Sequence, residues 1–252
     1  MAALRHLIDH LDSLLNPAAF ADFGPNGLQV PGPQEIRTVV TGVSAHATLL
    51  ERAAAEDADL VLVHHGVSWD LAARRIDAVV KRRLQLLFDH DMALAAYHLP
   101  LDAHLEHGNN ALIAAALNCI DIRPFGAYKG TPIGVAGRLS EPLSIAALAA
   151  RIGELTTRKP LVQGAGPDSV QTIGIVSGAA ADHLHDAIDE GLDAFLTGEP
   201  SEWVMGRAVD AGVHFIAAGH YATETFGVRA VGDWLAQRFG IEHVWVDIPN
   251  PV

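Results

Sequence analysis

The chain has 252 residues, half of them apolar, with 17 basic against 30 acidic side chains and a formal charge of −13, enough length for one large domain or two of about 125 residues. A field of that sign repels phosphates, which disfavours nucleic acid and anionic membranes as partners and favours cations. Cys119 is the single cysteine, so no intrachain disulfide forms. No run of 18 apolar residues occurs, and the start is broken by Arg5, His6, Asp9, His10 and Asp12; this argues against a membrane span or a secretory leader and makes the cytoplasm the expected location.

Residues 4–15 predict an amphipathic helix with Leu4, Leu7, Ile8, Leu11, Leu14 and Leu15 on one face. Short apolar, β-branched runs then alternate with helical patterns: strand 38–44, helix 46–56, strand 59–65, helix 74–90 and strand 92–98. A Gly- and Pro-rich stretch over 125–170 follows, carrying a strand-like PIGVAGRL and a helix over 144–155. The series then repeats as strand 171–177, helix 180–190, strand 193–199, helix 202–211 and strand 214–220. The closing EHVWVDIPNPV reads as a strand with a Pro-terminated tail, expected to pack back on the first domain.

Alternation of strand and helix predicts α/β units with mainly parallel sheets and right-handed crossovers. A shift of 134 positions pairs Thr38 with Thr172, Asp59 with Asp193, Leu62 with Leu196 and Trp69 with Trp203; a shift of 122 brings His98 onto His220 and Asp102 onto Glu224. Internal duplication explains this agreement. The expected architecture is two similar layered α/β domains, 1–125 and 126–252, with 225–252 returning to the first and a metal site between them.

Fourteen histidines are many for a chain with three tyrosines, and histidine is the commonest transition-metal ligand. His6, His10, His46, His90, His183, His185 and His243 stand among charged or helical residues and read as solvated. His64 and His65 end an apolar strand abruptly, at the carboxyl edge where open parallel sheets bind ligands, and His98 and His220 end strands in the same way. Neighbours along a strand point to opposite sides, so His64 and His65 are expected to serve two ions rather than one. His220 and Glu224 share a helix face if one helix includes both, and Pro100 makes Asp102 a residue of a loop. Glu199 reads as an acceptor behind a ligand or a substrate contact. Asn26-Gly27 reads as a turn and Asn109 as a helix cap, while His104 and His107 read as outer or solvated groups.

Imidazole and carboxylate without thiolate exclude Cys-type structural zinc and soft copper; zinc, manganese, iron, cobalt and nickel remain. Two such ions side by side make hydrolysis the default chemistry.

The segments PNGLQV, VHHGVSW, YHLPLDAHLEHGNN, FLTGE, AAGHYATE and DIPNP, in this order and spacing, resemble the NIF-three-like family (NGG-one-interacting factor three), and most closely its short YbgI branch, whose bacterial members are called GTP cyclohydrolase I type-two homologues. The resemblance covers nearly the whole chain. It implies two divalent ions per subunit held by His64, His65, Asp102, His220 and Glu224, with Glu224 bridging, and a ring-shaped homohexamer built as a trimer of dimers. His98 lies beside those ligands and is the first candidate for catalytic proton transfer. The expected function is a metal-dependent hydrolase or cyclohydrolase of a small, nucleotide-like molecule; the alternative is a metal-handling or regulatory binding protein with no turnover. No phosphate loop accompanies the metal motifs, and Arg229 is the nearest candidate for holding an anionic group.

Overall fold

The largely apolar runs LVLV, ALAA, AFLT and HFIA become central strands, buried along almost their whole length, as strands covered on both faces must be. The computed structural model describes residues 1–67 and 76–252. In chain order it contains β1 (Ala2–Ala3), α1 (Leu4–Leu15), β2 (Gly27–Val30), β3 (Glu35–Ile36), β4 (Thr38–Ser44), α2 (Ala47–Ala55), β5 (Leu60–His65), α3 (Ala78–Asp89), β6 (Ala93–Ala96) and α4 (Leu99–Ala103). Next come α5 (Asn109–Ala116), β7 (Cys119–Tyr128), β8 (Thr131–Leu143), α6 (Ile145–Thr156), β9 (Leu161–Gly164), β10 (Val170–Ile175), α7 (Leu184–Asp189), β11 (Ala194–Thr197), α8 (Val204–Ala211) and β12 (His214–Ala217). The short α9 (His220–Thr223), α10 (Thr225–Phe239) and β13 (Glu242–Trp245) end the series.

Two units form. The first is Met1–Leu101 with Gly227–Ile248, and the second Asp102–Phe226 with Pro249–Val252. The first unit's main sheet has the order β13-β4-β5-β6-β2, parallel from β13 to β6 with β2 antiparallel at the edge. The second unit's sheet runs β7-β8-β10-β11-β12-β9; β10, β11 and β12 are parallel and the other three antiparallel to their neighbours.

Four strands recur in order, direction and register. Val39 pairs with Leu60 and Ile173 with Ala194, both 134 positions on. Gly27 faces Ala96 as Leu161 faces Ala217, which extends the same shift to the edge strands β2 and β9. Asp59 Oδ2 accepts from the amides of Arg37 and Thr38, and Asp193 Oδ2 from those of Gln171 and Thr172, so the carboxylate before each second strand ties down the start of the first. For the third strand the register shift is 121, since Leu60 pairs with Ala93 and Ala194 with His214. His220 therefore stands one residue further beyond its strand than His98 does. Trp69, the counterpart of Trp203, and positions 74 and 75 of the expected 74–90 helix lie outside the described residues; α3 is capped at Asp77, whose Oδ1 accepts from the amides of Val79 and Val80 at 2.9 Å each.

The division falls at Leu101/Asp102 instead of near residue 125, because the elements after each third strand complete the other unit. Ile113 and Ala114 of α5, with Leu117, are buried among Val135, Leu148 and Ile173. Val228, Val231 and Leu235 of α10 are buried among Leu7, Leu11, Leu60 and Leu62. Helical periodicity shows that a face is buried, not against which sheet. The terminal segment divides too: β13 joins the first unit's sheet, but Pro249–Val252 belong to the second unit.

Other departures are local. The stretch expected as one helix over 180–190 begins as a 3-10 turn, Ala181–His183, before α7. PIGVAGRL is the middle of β8, which forms a hairpin with β7; Pro124 and Gly126 hid that strand from the pattern. His243, expected in solvent, has a side chain only 7% exposed: its Nδ1 donates to Asp233 and its Nε2 accepts from the Thr41 hydroxyl at 2.7 Å. His46 caps α2 by accepting from Leu49 N at 3.3 Å.

Candidate metal centre

In the first unit, β5 ends in His64, fully buried, and His65, half-buried. The His64 Nδ1 lies 3.0 Å from the carbonyl oxygen of Tyr97. A carbonyl only accepts, so Nδ1 carries the proton and Nε2 presents the lone pair a metal requires. His65 Nδ1 is 3.0 Å from Ser44 Oγ, its register partner on β4. The two rings stand 4.7 Å apart, and donor atoms of His64, His65 and His98 all lie within 4.8 Å of one another. The strand ends at His65, and the two tilted rings lie in the same neighbourhood, as donors to two adjacent ions must.

His98 is fixed by two residues of the loop after α1. Its amide donates to Asn26 Oδ1 at 2.8 Å, and its Nδ1 donates to Asp22 Oδ1 at 2.6 Å. Asp22 Oδ2 accepts in turn from Leu99 N and Asn26 Nδ2. Burial opposes ionisation of Asp22, but His98, Asn26 and the amide of Phe23 outweigh it and hold the carboxyl below its ordinary value. Asn26 thus does more than turn the chain, and Asp22 gave no local signal because its partner is 76 residues away.

In the second unit, Asp102 sits on α4, a helix and not the expected loop, since Pro100 is tolerated in a first helical turn. Asp102 is 5% exposed, and its Oδ1 accepts from Asn109 Nδ2 and Ser177 Oγ, each at 2.8 Å. Asn110 donates to the carbonyls of Asp102 and Ile133 and accepts from Ser177 N. Asn109 is therefore a holder of Asp102; the cap of α5 is Gly108, with no side-chain bond.

Glu224, 2% exposed, follows α9, and its Oε1 lies 3.2 Å from His220 Nε2. Oxygen atoms of Asp102 and Glu224 lie within 4.8 Å of each other. The other side of the His220 ring, Nδ1, makes a short bond to Glu199 Oε1, the first of the two roles the sequence left open for Glu199. Burial disfavours a charged His220, yet Glu224 and Glu199 outweigh it and raise its pKa to about 9. His104 Nδ1 accepts from the amides of Glu106 and His107, which makes it a turn former. Arg229 is exposed and belongs to the first unit, its guanidinium 5.5 Å over Trp245.

The donors fit divalent ions of borderline hardness. They are imidazole nitrogens and carboxylate oxygens, each imidazole oriented through its far nitrogen. Gly178 forms a cradle for Glu224: at φ +68°, a Cβ there would stand 2.3 Å from Glu224 Oε1. Gly178→Ala is accordingly expected to displace that carboxylate and weaken metal binding about 10–100-fold; isothermal titration with Zn2+ checks it, and an unchanged affinity would remove the cradle from the argument.

Mixed α/β units whose strand ends gather imidazoles in one and buried carboxylates with an imidazole in the other define a protein with candidate metal-binding groups. The chain belongs to the Duf34/NIF3 (NGG1p interacting factor 3) family, which it matches over residues 2–251. It is 43% identical over 250 residues to a "GTP cyclohydrolase 1 type 2 homolog" of Pasteurella multocida, covering 98% of each chain. Among solved structures it is similar to protein ybgI, described as of unknown function, with TM-score 0.94, 39% identity and 100% of both chains covered. It is likewise similar to TTHA1606 from Thermus thermophilus, with TM-score 0.90, 36% identity and 100% of both chains covered. Family and fold class are those the sequence motifs implied. Among the described residues no helix is long and apolar enough to cross a membrane.

Proposed function

We propose that the protein is a dinuclear metal protein acting as a hydrolase or cyclohydrolase on a small, nucleotide-like molecule. In this reading His64 and His65 of the first unit and Asp102, His220 and Glu224 of the second would hold two divalent ions per subunit, with Glu224 a ligand to both, and the donor chemistry admits zinc, manganese, iron, cobalt or nickel. The observation that carries it is the preparation of the donors: His64 donates through Nδ1 to a carbonyl, His220 bonds Glu199 through Nδ1, and Asp102 is held by Asn109 and Ser177. Ions held there would supply Lewis acidity and lower the pKa of water.

His98 is assigned proton transfer. Its Nδ1 is committed to Asp22, which leaves Nε2 as the atom that takes up a proton and returns it, with Asp22 stabilising the charged ring. Asp22 and Asn26 orient it. The recurrence of four strands in register is read as duplication of one ancestral unit, and a cytoplasmic ring-shaped homohexamer completes the proposal.

The test is a panel of nucleotides, phosphoesters and cyclic amides with metal-loaded protein. His98→Ala is expected to keep its metal and lose turnover about 10²–10⁴-fold, while His65→Ala loses both. If no compound reacts faster with the unaltered protein than with His65→Ala, the hydrolase assignment fails, and a metal-handling or regulatory role takes its place.

A further inference from the structure

The terminal motif DIPNPV has no part in the chemistry above, and its last residues lie against the element that carries His220. That element, α9, has four residues, too few to hold a helical turn unaided. Its first residues need outside partners for their amides, and Gly219 at the cap position has no side chain to offer. The amide of Tyr221 donates instead to the backbone oxygen of Val252 at 3.2 Å. The tail is itself stiffened by Pro249 and Pro251 and by the bond from Val252 N to Asn250 Oδ1 at 3.0 Å.

Arg158 joins the two. Its Nη1 donates to the carbonyl of Pro251 at 2.9 Å. The same guanidinium fills the space a side chain on residue 219 would occupy, since a Cβ on Gly219, at φ +97°, would stand 2.4 Å from Nη1. The backbone of Arg158 is anchored at the end of α6 by the bond from its amide to Gly153 O at 3.1 Å. At the far end of α9, Thr223 Oγ1 accepts from Gly178 N and donates to Gly219 O, so a shift of Gly219 passes to the cradle of Glu224.

We infer that Pro249–Val252 and Arg158 form a positioning brace for the metal-binding turn, with the tail capping α9 and the guanidinium fixing Gly219, so that His220 and Glu224 meet the ion in one geometry. This rests on the metal-centre reading. The experiment compares the unaltered protein, Arg158→Gln and a form lacking residues 249–252, using Co2+ as the probe, with titration calorimetry, the visible absorption of the bound ion and thermal unfolding of the metal-free forms.

Both altered forms are expected to bind Co2+ about 10–100-fold more weakly, as loss of a group orienting a ligand does, with a changed absorption spectrum and an unfolding midpoint close to that of the unaltered protein. Should Arg158→Gln fail to fold, the shortened chain, which leaves Arg158 in place, decides the matter. Unchanged affinity and spectrum in both forms would overturn the brace while leaving the metal centre standing. Failure of the unaltered protein to bind Co2+ would overturn the metal centre, and the brace with it.

Discussion

Glu224→Gln is expected to leave the protein folded and almost free of metal. The side chain is buried, shares the neighbourhood of His220 and Asp102, and lies where only a glycine at 178 makes room for it. The amide keeps the shape and removes the charge. In the proposed centre Glu224 would be a ligand to both ions, so the affinity for each is expected to fall by at least about 100-fold, more than an orienting group costs. Metal content by mass spectrometry and the circular dichroism of the same sample separate loss of metal from loss of fold. A second consequence has a fixed sign: Glu224 is among the groups raising the pKa of His220 to about 9, so in the metal-free variant that ring releases its proton at lower pH, as an NMR titration would read. Retention of two ions per chain by Glu224→Gln would remove it from the ligand set.

Leu235→Ala has the largest expected effect on stability. Leu235 of α10 is inaccessible and packs into the cluster of Leu7, Leu11, Leu60 and Leu62, although the sequence that precedes α10 belongs to the second unit. Truncation of a buried leucine costs about 2–5 kcal/mol, the loss of transfer free energy plus that of the cavity left behind. Val209→Ala, at an exposed position of α8, is expected to change stability by less than about 0.5 kcal/mol. Denaturation followed by tryptophan emission reads the first unit directly, because Trp234 and Trp245 pack against this cluster. A midpoint unmoved by Leu235→Ala would mean that α10 contributes nothing to that core.

The strands that carry the site were legible because each is a short apolar run buried on both faces and bounded by polar residues. Burial on both faces gives β4, β5, β6, β10, β11 and β12 one signature, and their ends mark where His64, His98 and His220 leave the sheet. The edge strands β2 and β9 were missed: GLQV and LVQG are four residues long and half-exposed, with too little pattern to read. The residues that hold the donors were harder still. Asp22 and Ser177 act on partners 76 and 75 positions away, and no local spacing encodes such a bond. Asn26 and Asn109 did show themselves, but as a turn and a cap, the roles asparagine plays near its own backbone. That Asn109 and Asn110 are wholly buried depends on the fold, and burial turns each amide from a local cap into a bond that must be satisfied at long range.

The most direct test of the central claim is anomalous X-ray diffraction from crystals of Mn2+- or Zn2+-loaded protein, recorded on both sides of the metal's absorption edge. Two peaks per chain are expected, about 3.5–4 Å apart, contacted by His64, His65, Asp102, His220 and Glu224. A single peak, or no peak at any of the five residues, would contradict that claim.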